Sequence, residues 1–312
     1  GMRIAIIGAG AIGGFFGAKL VACGQDVHFV ARGRTLDVLR SQGLTLVSGA
    51  RRQVIPVHAA EDSSDIGPVD IVLCCVKATQ VIDALEPAGA LIGSGTGVVT
   101  TQNGVDGPRL TASVVGREHT LPGVVKVFAQ ALEPGLVSHV GGPGSLEVGE
   151  WHNEPTARIA ALRAALIAAQ IPSPAPRDVW ELLWEKSMIV VPAGGLGALS
   201  GVPIGELLSR PGLRRVLVSA IREIREIAAA RGVSMADEVV ERTMAFIESE
   251  PPAATTSLQR DLMAGRPSEL DPQLGAVVRY GRDAGVPTPL HELMYEVLKL
   301  GRGRQGPVGL AG

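Results

Sequence analysis

The opening of the chain constrains its fold more than any other stretch. Met2-Arg3-Ile4-Ala5-Ile6-Ile7 is a short apolar, β-branched run, the pattern of a buried strand. Gly8-Ala9-Gly10-Ala11-Ile12-Gly13 follows with the spacing GxGxxG. Phe15 to Cys23 then has helical character and stops at Gly24, and Asp26 to Ala31 reads as a second strand. A lone GxGxxG is weak, but here it joins a strand to a helix inside a unit of about 30 residues, the setting of a dinucleotide-binding turn. Gly8 permits the tight turn, Gly10 lets a pyrophosphate approach the backbone, and Gly13 lets the helix pack on the strand. Ala11 and Ile12 of this turn are candidate cofactor contacts with the glycines, and the N-terminus of the helix that follows offers free N–H groups and a partial positive charge to phosphate. The competing reading is a glycine-rich turn of some other α/β protein.

The end of the second strand selects the cofactor. A site for NAD usually carries Asp or Glu there, to hold the ribose hydroxyl. Asp26 comes too early, and the strand runs instead into Arg32, with Arg34 close by. An acid would repel a 2′-phosphate, whereas arginine can hold it through two hydrogen bonds. NADPH is therefore favoured over NADH, against the alternative of a solvated loop arginine.

Val69 to Val76 reads as a central strand ending at Lys77, and Gly97 to Gln102 as another ending at Asn103-Gly104. Ligands of open parallel sheets bind beyond the carboxyl ends of strands, so Lys77 and Asn103 are candidate site residues. Each has a plainer reading: a solvated strand-end cation, and a turn dipeptide. Thr120 to Gln130 and Leu136 to Val148 read as later, antiparallel strands.

Composition narrows the function classes. Aromatics make up only 3% of the 312 residues and the formal net charge is −2, which disfavours base-stacking platforms and a general attraction for polyanions. No nucleic-acid partner is expected. Cys23, Cys74 and Cys75 are odd in number and two are adjacent, so no disulfide framework is implied and a reducing, cytoplasmic setting fits. The histidines have no metal-ligand spacing with the cysteines, and no metal is expected. Met2 to Cys23 resembles a lipoprotein signal, but Lys19 interrupts its apolar end and the strand–turn–helix reading fits better. No apolar run is expected to reach the length of a membrane span, and Gly1 ahead of Met2 reads as an expression scar.

Pro172, Pro174 and Pro176 mark a stiff connection, after which the pattern turns helical. Asp178 can cap a helix starting at Val179. Leu213 to Ala230, Ser234 to Glu248, Thr256 to Met263 and Ser268 to Gly285 read as further helices, with Arg222, Glu223 and Glu226 on a solvated flank. The expected organisation is α/β: a Rossmann-type parallel-sheet domain over 2–174, an all-helical domain over 177–304 with a cleft between them, and a flexible tail over 305–312. Two charges stand out in the helical half. Lys186 has Leu182, Leu183, Ile189 and Val190 as its helical neighbours, so a cation sits on an apolar face. It either snorkels to water or points into the cleft as a proton donor. Glu269, in the capping-box pattern Ser268-Glu269-Leu270-Asp271, is either a first-turn acid facing the helix dipole or a site carboxylate.

In this order and at these distances, several segments together resemble the ketopantoate reductase (2-dehydropantoate 2-reductase) family. They are GAGAIG at 8–13, VKATQ at 76–80, QNGV at 102–105, LLWEK ending at Lys186, SLQRDLMAGRPSELD at 257–271 and GVPTP at 285–289. The resemblance covers nearly the whole chain and implies NADPH-dependent reduction of ketopantoate to pantoate, on the route to pantothenate and coenzyme A. It implies that Lys186 is the general acid, that Ser257 binds the substrate carboxylate, and that Glu269 contacts the substrate hydroxyl and the lysine. Asn103 would lie near nicotinamide and substrate, Lys77 would place cofactor or substrate, and Arg32 would hold the 2′-phosphate.

The chain departs from the family pattern where asparagines usually follow the lysine and precede a later glycine; here those positions are Val190, Gly194 and Leu274. A site that loses polar partners discriminates differently, which points toward a more apolar 2-oxo acid. Three readings therefore stand: a ketopantoate reductase, a relative acting on another 2-oxo acid, and a non-catalytic NADP-binding sensor. The sequence does not give the oligomeric state and leaves a homodimer open.

Overall fold

Strand β1 (Arg3–Ile7) faces two cores at once: Ile4 and Ile6 join one buried cluster, Ala5 and Ile7 the other. That is why the run is apolar throughout rather than alternating, as in any parallel strand covered on both faces. The computed structural model describes residues 1–175 and 177–301. The expectations for Pro176, for 302–304 and for a tail over 305–312 lie outside the described residues. The chain divides into two compact units, one of Gly1–Gln102 with Gly107–Val179, the other of Asn103–Asp106 with Trp180 onward.

In the first unit β1 is followed by α1 (Ala11–Ala22), β2 (Asp26–Val30), α2 (Gly33–Gln42), β3 (Leu44–Ser48), β4 (Arg51–Ile55), β5 (His58–Ala60), β6 (Val69–Cys74), α3 (Val81–Leu85) and β7 (Ile92–Thr100). After these come α4 (Gly107–Val115), β8 (Thr120–Leu121), β9 (Gly123–Glu133), β10 (Leu136–Val148) and α5 (Ala157–Ala168). Six strands form a sheet in the order β5-β2-β1-β6-β7-β8, with every pairing parallel. The expected Rossmann-type sheet is present. The chain leaves β1 toward β2 on one side and returns to β6 on the other, which makes the β1/β6 boundary a topological switch point.

A second sheet, β4-β3-β10-β9, was not foreseen; it packs with α1 and α5 in one cluster with Phe15, Leu44, Val137 and Leu162. The antiparallel expectation holds for β9 with β10 but not for Thr120–Leu121, which extends the six-stranded sheet in parallel beside β7. Helix α1 begins at Ala11, four residues before the expected start at Phe15. Its first turn contains Gly13 and Gly14, poor helix formers whose place is decided by tertiary packing.

The second unit contains α6 (Val179–Ser200), α7 (Ile204–Ser209), α8 (Pro211–Ala230), α9 (Val239–Ser249), α10 (Ser257–Met263), α11 (Ala276–Ala284) and α12 (Pro289–Lys299). Helix α6 opens where expected, and the N–H of Val179 donates to Asn153 Oδ1 at 2.8 Å while Asn153 Nδ2 donates to Asp178. Helix α9 starts at Val239 rather than Ser234. The helix expected over Ser268 to Gly285 begins with a π-helical turn, Asp271–Gly275, before α11, and ends at Gly285 with φ +69°. Helices α7 and α12 were missed.

Glu223 is a correction: it does not lie on a solvated flank. Its carboxylate accepts the N–H groups of Leu290 and His291 at 3.0 and 3.1 Å and bonds the His291 ring at 2.9 Å, so it caps α12 from α8. The expectation that no apolar run reaches span length is also corrected: α6 is long and apolar enough by length and composition, though most of it is buried inside the fold.

One buried ion pair ties α5 to the first unit. Arg158 donates to both carboxylate oxygens of Glu150, at 2.7 and 2.6 Å, and to the carbonyls of Thr96 and Glu118. Burial alone would raise the Glu150 pKa; the hydrogen bonds from Arg158 and Thr156 outweigh it and leave the carboxyl below its ordinary value of 4.5. A carboxyl depressed in the folded state contributes stability above the unfolded value of about 4.3, lost as pH falls through the lower folded value. Arg158→Ala should lower stability at pH 7 by about 3 kcal/mol. Urea titrations at pH 7 and at pH values below 4.3 should show the gap between variant and wild type narrowing in acid.

Candidate functional site

Gly8 ends β1 with φ +94°, and a Cβ there would stand 2.9 Å from the Cys75 carbonyl. A Cβ at Gly13 would meet the Gly8 carbonyl oxygen at 1.8 Å. Gly8 is therefore forced by its positive φ and the end of β6 beside it, and Gly13 by the close passage of α1 over the turn. Gly10 is different: a Cβ there meets nothing within 4 Å. Its backbone is extended, it is exposed, and it is the N-cap of α1. Gly14 N–H bonds the Gly10 carbonyl at 2.8 Å, and the amides of Ala11, Ile12 and Gly13 ahead of it lack intrahelical acceptors. No acidic residue stands in the first turn. The cradle, open at Gly10 and electropositive, fits the pyrophosphate of a dinucleotide.

The switch point is braced by two residues that sequence reading passed over. Thr101 Oγ1 donates to the Cys74 carbonyl at 2.8 Å, and the buried Gln102 donates through Nε2 to the carbonyls of Cys74 and Val76, both at 2.9 Å. The strand end that carries Lys77 is thereby tied to the end of β7. Lys77 is exposed and leads into a single 3-10 turn, Ala78–Gln80. Arg32 is exposed as the N-cap of α2, and Arg34 lies exposed in its first turn. Asp26 sits at the other end of β2, bonded to His28 at 2.8 Å, and does not compete for a ribose. Cys74 is no nucleophile: burial pushes its thiol up to about 12.

Asn103 belongs to the second unit, although it follows a strand of the first. Gly104 packs on Pro272 and Gln273 of the π-helical turn. Buried Asp106 accepts from Tyr280 at 3.2 Å and pairs with Arg279 at 3.6 Å. Tyr280 in turn meets Trp184 of α6 edge to face, with centroids 5.8 Å apart. The Asn103–Asp106 segment is thus fastened to the π-helical turn and α11, and α11 to α6 two residues before Lys186.

Glu269 precedes the π-helical turn. Gln273 donates its amide to Glu269 Oε2 at 3.1 Å, and its own Oε1 is buried without a partner. With 1% of its surface exposed, Gln273 orients the carboxylate, and no sequence signal marked it. Lys186 is half-buried, beside buried Leu182 and Leu183 and half-buried Ile189 and Val190. One and two turns further along the same face stand Val190 and Gly194. A Cβ at Gly194 would lie 3.3 Å from Thr256 Oγ1 and 3.4 Å from Leu258, so the start of α10 passes closely here, and Ser257 between them is exposed. Lys186, Asn103, Ser257 and Glu269 are brought into one unit; Gly8, Gly10, Ala11, Ile12, Gly13, Arg32 and Lys77 belong to the other.

A family model described as ketopantoate reductase PanE/ApbA matches residues 4–153, and its C-terminal counterpart matches residues 178–302. The chain belongs to the ketopantoate reductase family. A 2-dehydropantoate 2-reductase of Mesorhizobium japonicum is 30% identical over 92% of this chain and 94% of its own. The crystal structure of 2-dehydropantoate 2-reductase from Geobacter metallireducens superposes with a TM-score of 0.88 at 30% identity, over 96% of this chain and 99% of that one. A D-mandelate dehydrogenase solved with NADH and anilino(oxo)acetate shares the fold, with a TM-score of 0.85 at 24% identity over 96% and 98% of the two chains. As a ketopantoate reductase family member the chain is an oxidoreductase of an NAD(P)H-dependent family.

The contrast between the glycines is testable. Gly10→Ala should leave thermal stability within about 0.5 kcal/mol of wild type. It should still weaken NADPH binding by about tenfold or more, because the new methyl enters the cradle. Gly13→Ala should lose both fold stability and binding. Scanning calorimetry and cofactor fluorescence titration read the two effects separately.

Proposed function

We propose that this chain catalyses the NADPH-dependent reduction of a 2-oxo acid, with 2-dehydropantoate (ketopantoate) to pantoate as the leading reaction, in the cytoplasmic synthesis of pantothenate and coenzyme A. The observation that carries this reading is a lysine on an apolar helix face, in the same unit as a carboxylate, an asparagine and an exposed serine: Lys186, Glu269, Asn103 and Ser257. In this reading residues 2–174 form the cofactor domain and residues 177–304 the substrate domain.

NADPH, when bound, supplies the hydride. Gly8, Gly10, Ala11, Ile12 and Gly13 hold its pyrophosphate, and Arg32 selects its 2′-phosphate. Lys186 stabilises the negative charge that grows on the ketone oxygen and gives that oxygen its proton, so the product is a neutral hydroxyl and the lysine is left as an amine for water to reprotonate. Glu269, steadied by Gln273, supports the ammonium and accepts from a substrate hydroxyl. Ser257 donates to the substrate carboxylate, while Asn103 and Lys77 align substrate and cofactor.

A second reading, reduction of a more apolar 2-oxo acid, draws on Gly194. A Cβ there would lie 3.3 Å from Thr256 Oγ1 and in contact with Leu258, so the glycine leaves this point of the face close-packed and without the amide that family members usually carry. Val190 and buried Leu274 remove two further polar partners.

NADPH oxidation measured across a panel of 2-oxo acids tests both readings. Wild type should turn over ketopantoate or a branched apolar analogue, and Lys186→Ala should lose about 10²- to 10⁴-fold in kcat. Arg32→Ala should raise KM for NADPH by about tenfold or more with NADH unaffected, the loss of a charged hydrogen bond. Equal turnover by wild type and Lys186→Ala would refute the assigned acid.

A further inference from the structure

The first unit contains a cavity that the proposed chemistry does not use. It has a volume of about 440 Å³ and lies between α1, the β3–β4–β10 face of the second sheet and the end of α5. Its walls are mixed. Phe15, Ala18, Leu46 and Ile55 are part of its apolar lining, and Lys19, Arg51 and His139 line it as well. No carboxylate lines it.

The charges of Lys19 and Arg51 are not otherwise matched. Lys19 Nζ donates to the Gln170 carbonyl at 3.1 Å and lies 5.1 Å from the centre of the Phe15 ring, both uncharged partners. Burial lowers its pKa, the response of an ammonium drawn partly out of water with no anion beside it. The Arg51 side chain makes no hydrogen bond or ion pair among the described residues. His139 stacks at 4.9 Å on Phe15 and donates through Nε2 to the Gly141 carbonyl at 3.0 Å, which leaves Nδ1 uncommitted. A concave, half-apolar site with two cations and a histidine in its lining is the form of a small-molecule pocket.

We propose that this cavity is a second ligand site, specific for an amphiphilic organic anion whose head group is held by Lys19 and Arg51 and whose apolar body rests on Phe15, Leu46 and Ile55. It is separate from the dinucleotide cradle. None of Gly8 to Gly13 lines it, and Lys19 is nine residues past Gly10, about 13 Å along the helix. Carboxylate and phosphate head groups share the chemistry these cations read.

Hexanoate, hexyl phosphate and uncharged 1-hexanol are the probes, titrated by calorimetry and saturation-transfer NMR into protein already saturated with NADP⁺. At least one anion should bind saturably, with hexanol weaker by about tenfold or more. Binding of one anion and not the other supports the site and assigns its head group. Arg51→Glu, an exposed position, and Lys19→Gln should each weaken the anion by about tenfold or more while the Kd for NADPH stays the same. The proposal is overturned if neither anion binds, if NADP⁺ displaces them, or if both variants bind them as wild type does.

Discussion

The Gly8 carbonyl oxygen occupies the space that a side chain at residue 13 would need. That single close approach holds the first turn of α1 down on the carboxyl end of β1. The amides of Ala11, Ile12 and Gly13 precede the first intrahelical bond, next to the exposed N-cap Gly10. A phosphate site made from backbone dipoles works only if those dipoles are fixed before the ligand arrives. The bonds from Thr101 and Gln102 to the carbonyls of Cys74 and Val76 do the same for the neighbouring strand end, where Lys77 emerges.

The helical unit is organised around a different constraint. Residues 103–106 leave a sheet strand and yet are held among helices, by Asp106 on Tyr280 and Arg279 and by Gly104 against the π-helical turn. The extra residue of a π turn is costly in regular helix and is found disproportionately at functional positions. Here it carries Gln273, whose amide orients Glu269 and whose buried oxygen has no partner. A buried polar atom left without a partner costs stability, and here it accompanies the bond that fixes the Glu269 carboxylate.

Most of the candidate site was legible in the residues because its chemistry leaves local marks. GxGxxG between strand and helix, arginine at a strand end, and lysine on an apolar helix face are each readable at short range. Gln273, Thr101, Gln102 and Asp106 were not. Their roles come from partners that lie close only in space: Gln102 reaches back 28 and 26 residues, and Asp106 forward 174 to Tyr280. Glu223 was misread for the same reason. Its position on α8 has the spacing of a wet flank, and nothing local announces that the N-terminus of α12 will arrive on it.

By itself the sequence determined the alternation of a parallel sheet with a helical half, the glycine-rich turn from strand to helix and the lysine placed on an apolar helix face. These follow from period, glycine placement and charge, which act over a few residues. Only the tertiary structure decided that Thr120–Leu121 joins the parallel sheet, that β3, β4, β9 and β10 form a sheet of their own, and that Asn103 sides with the helices. It also decided that Lys19 and Arg51 face a cavity without an acid. Strand pairing and cavity lining depend on contacts between distant segments, and no local pattern encodes the energy of a contact whose other half lies far along the chain.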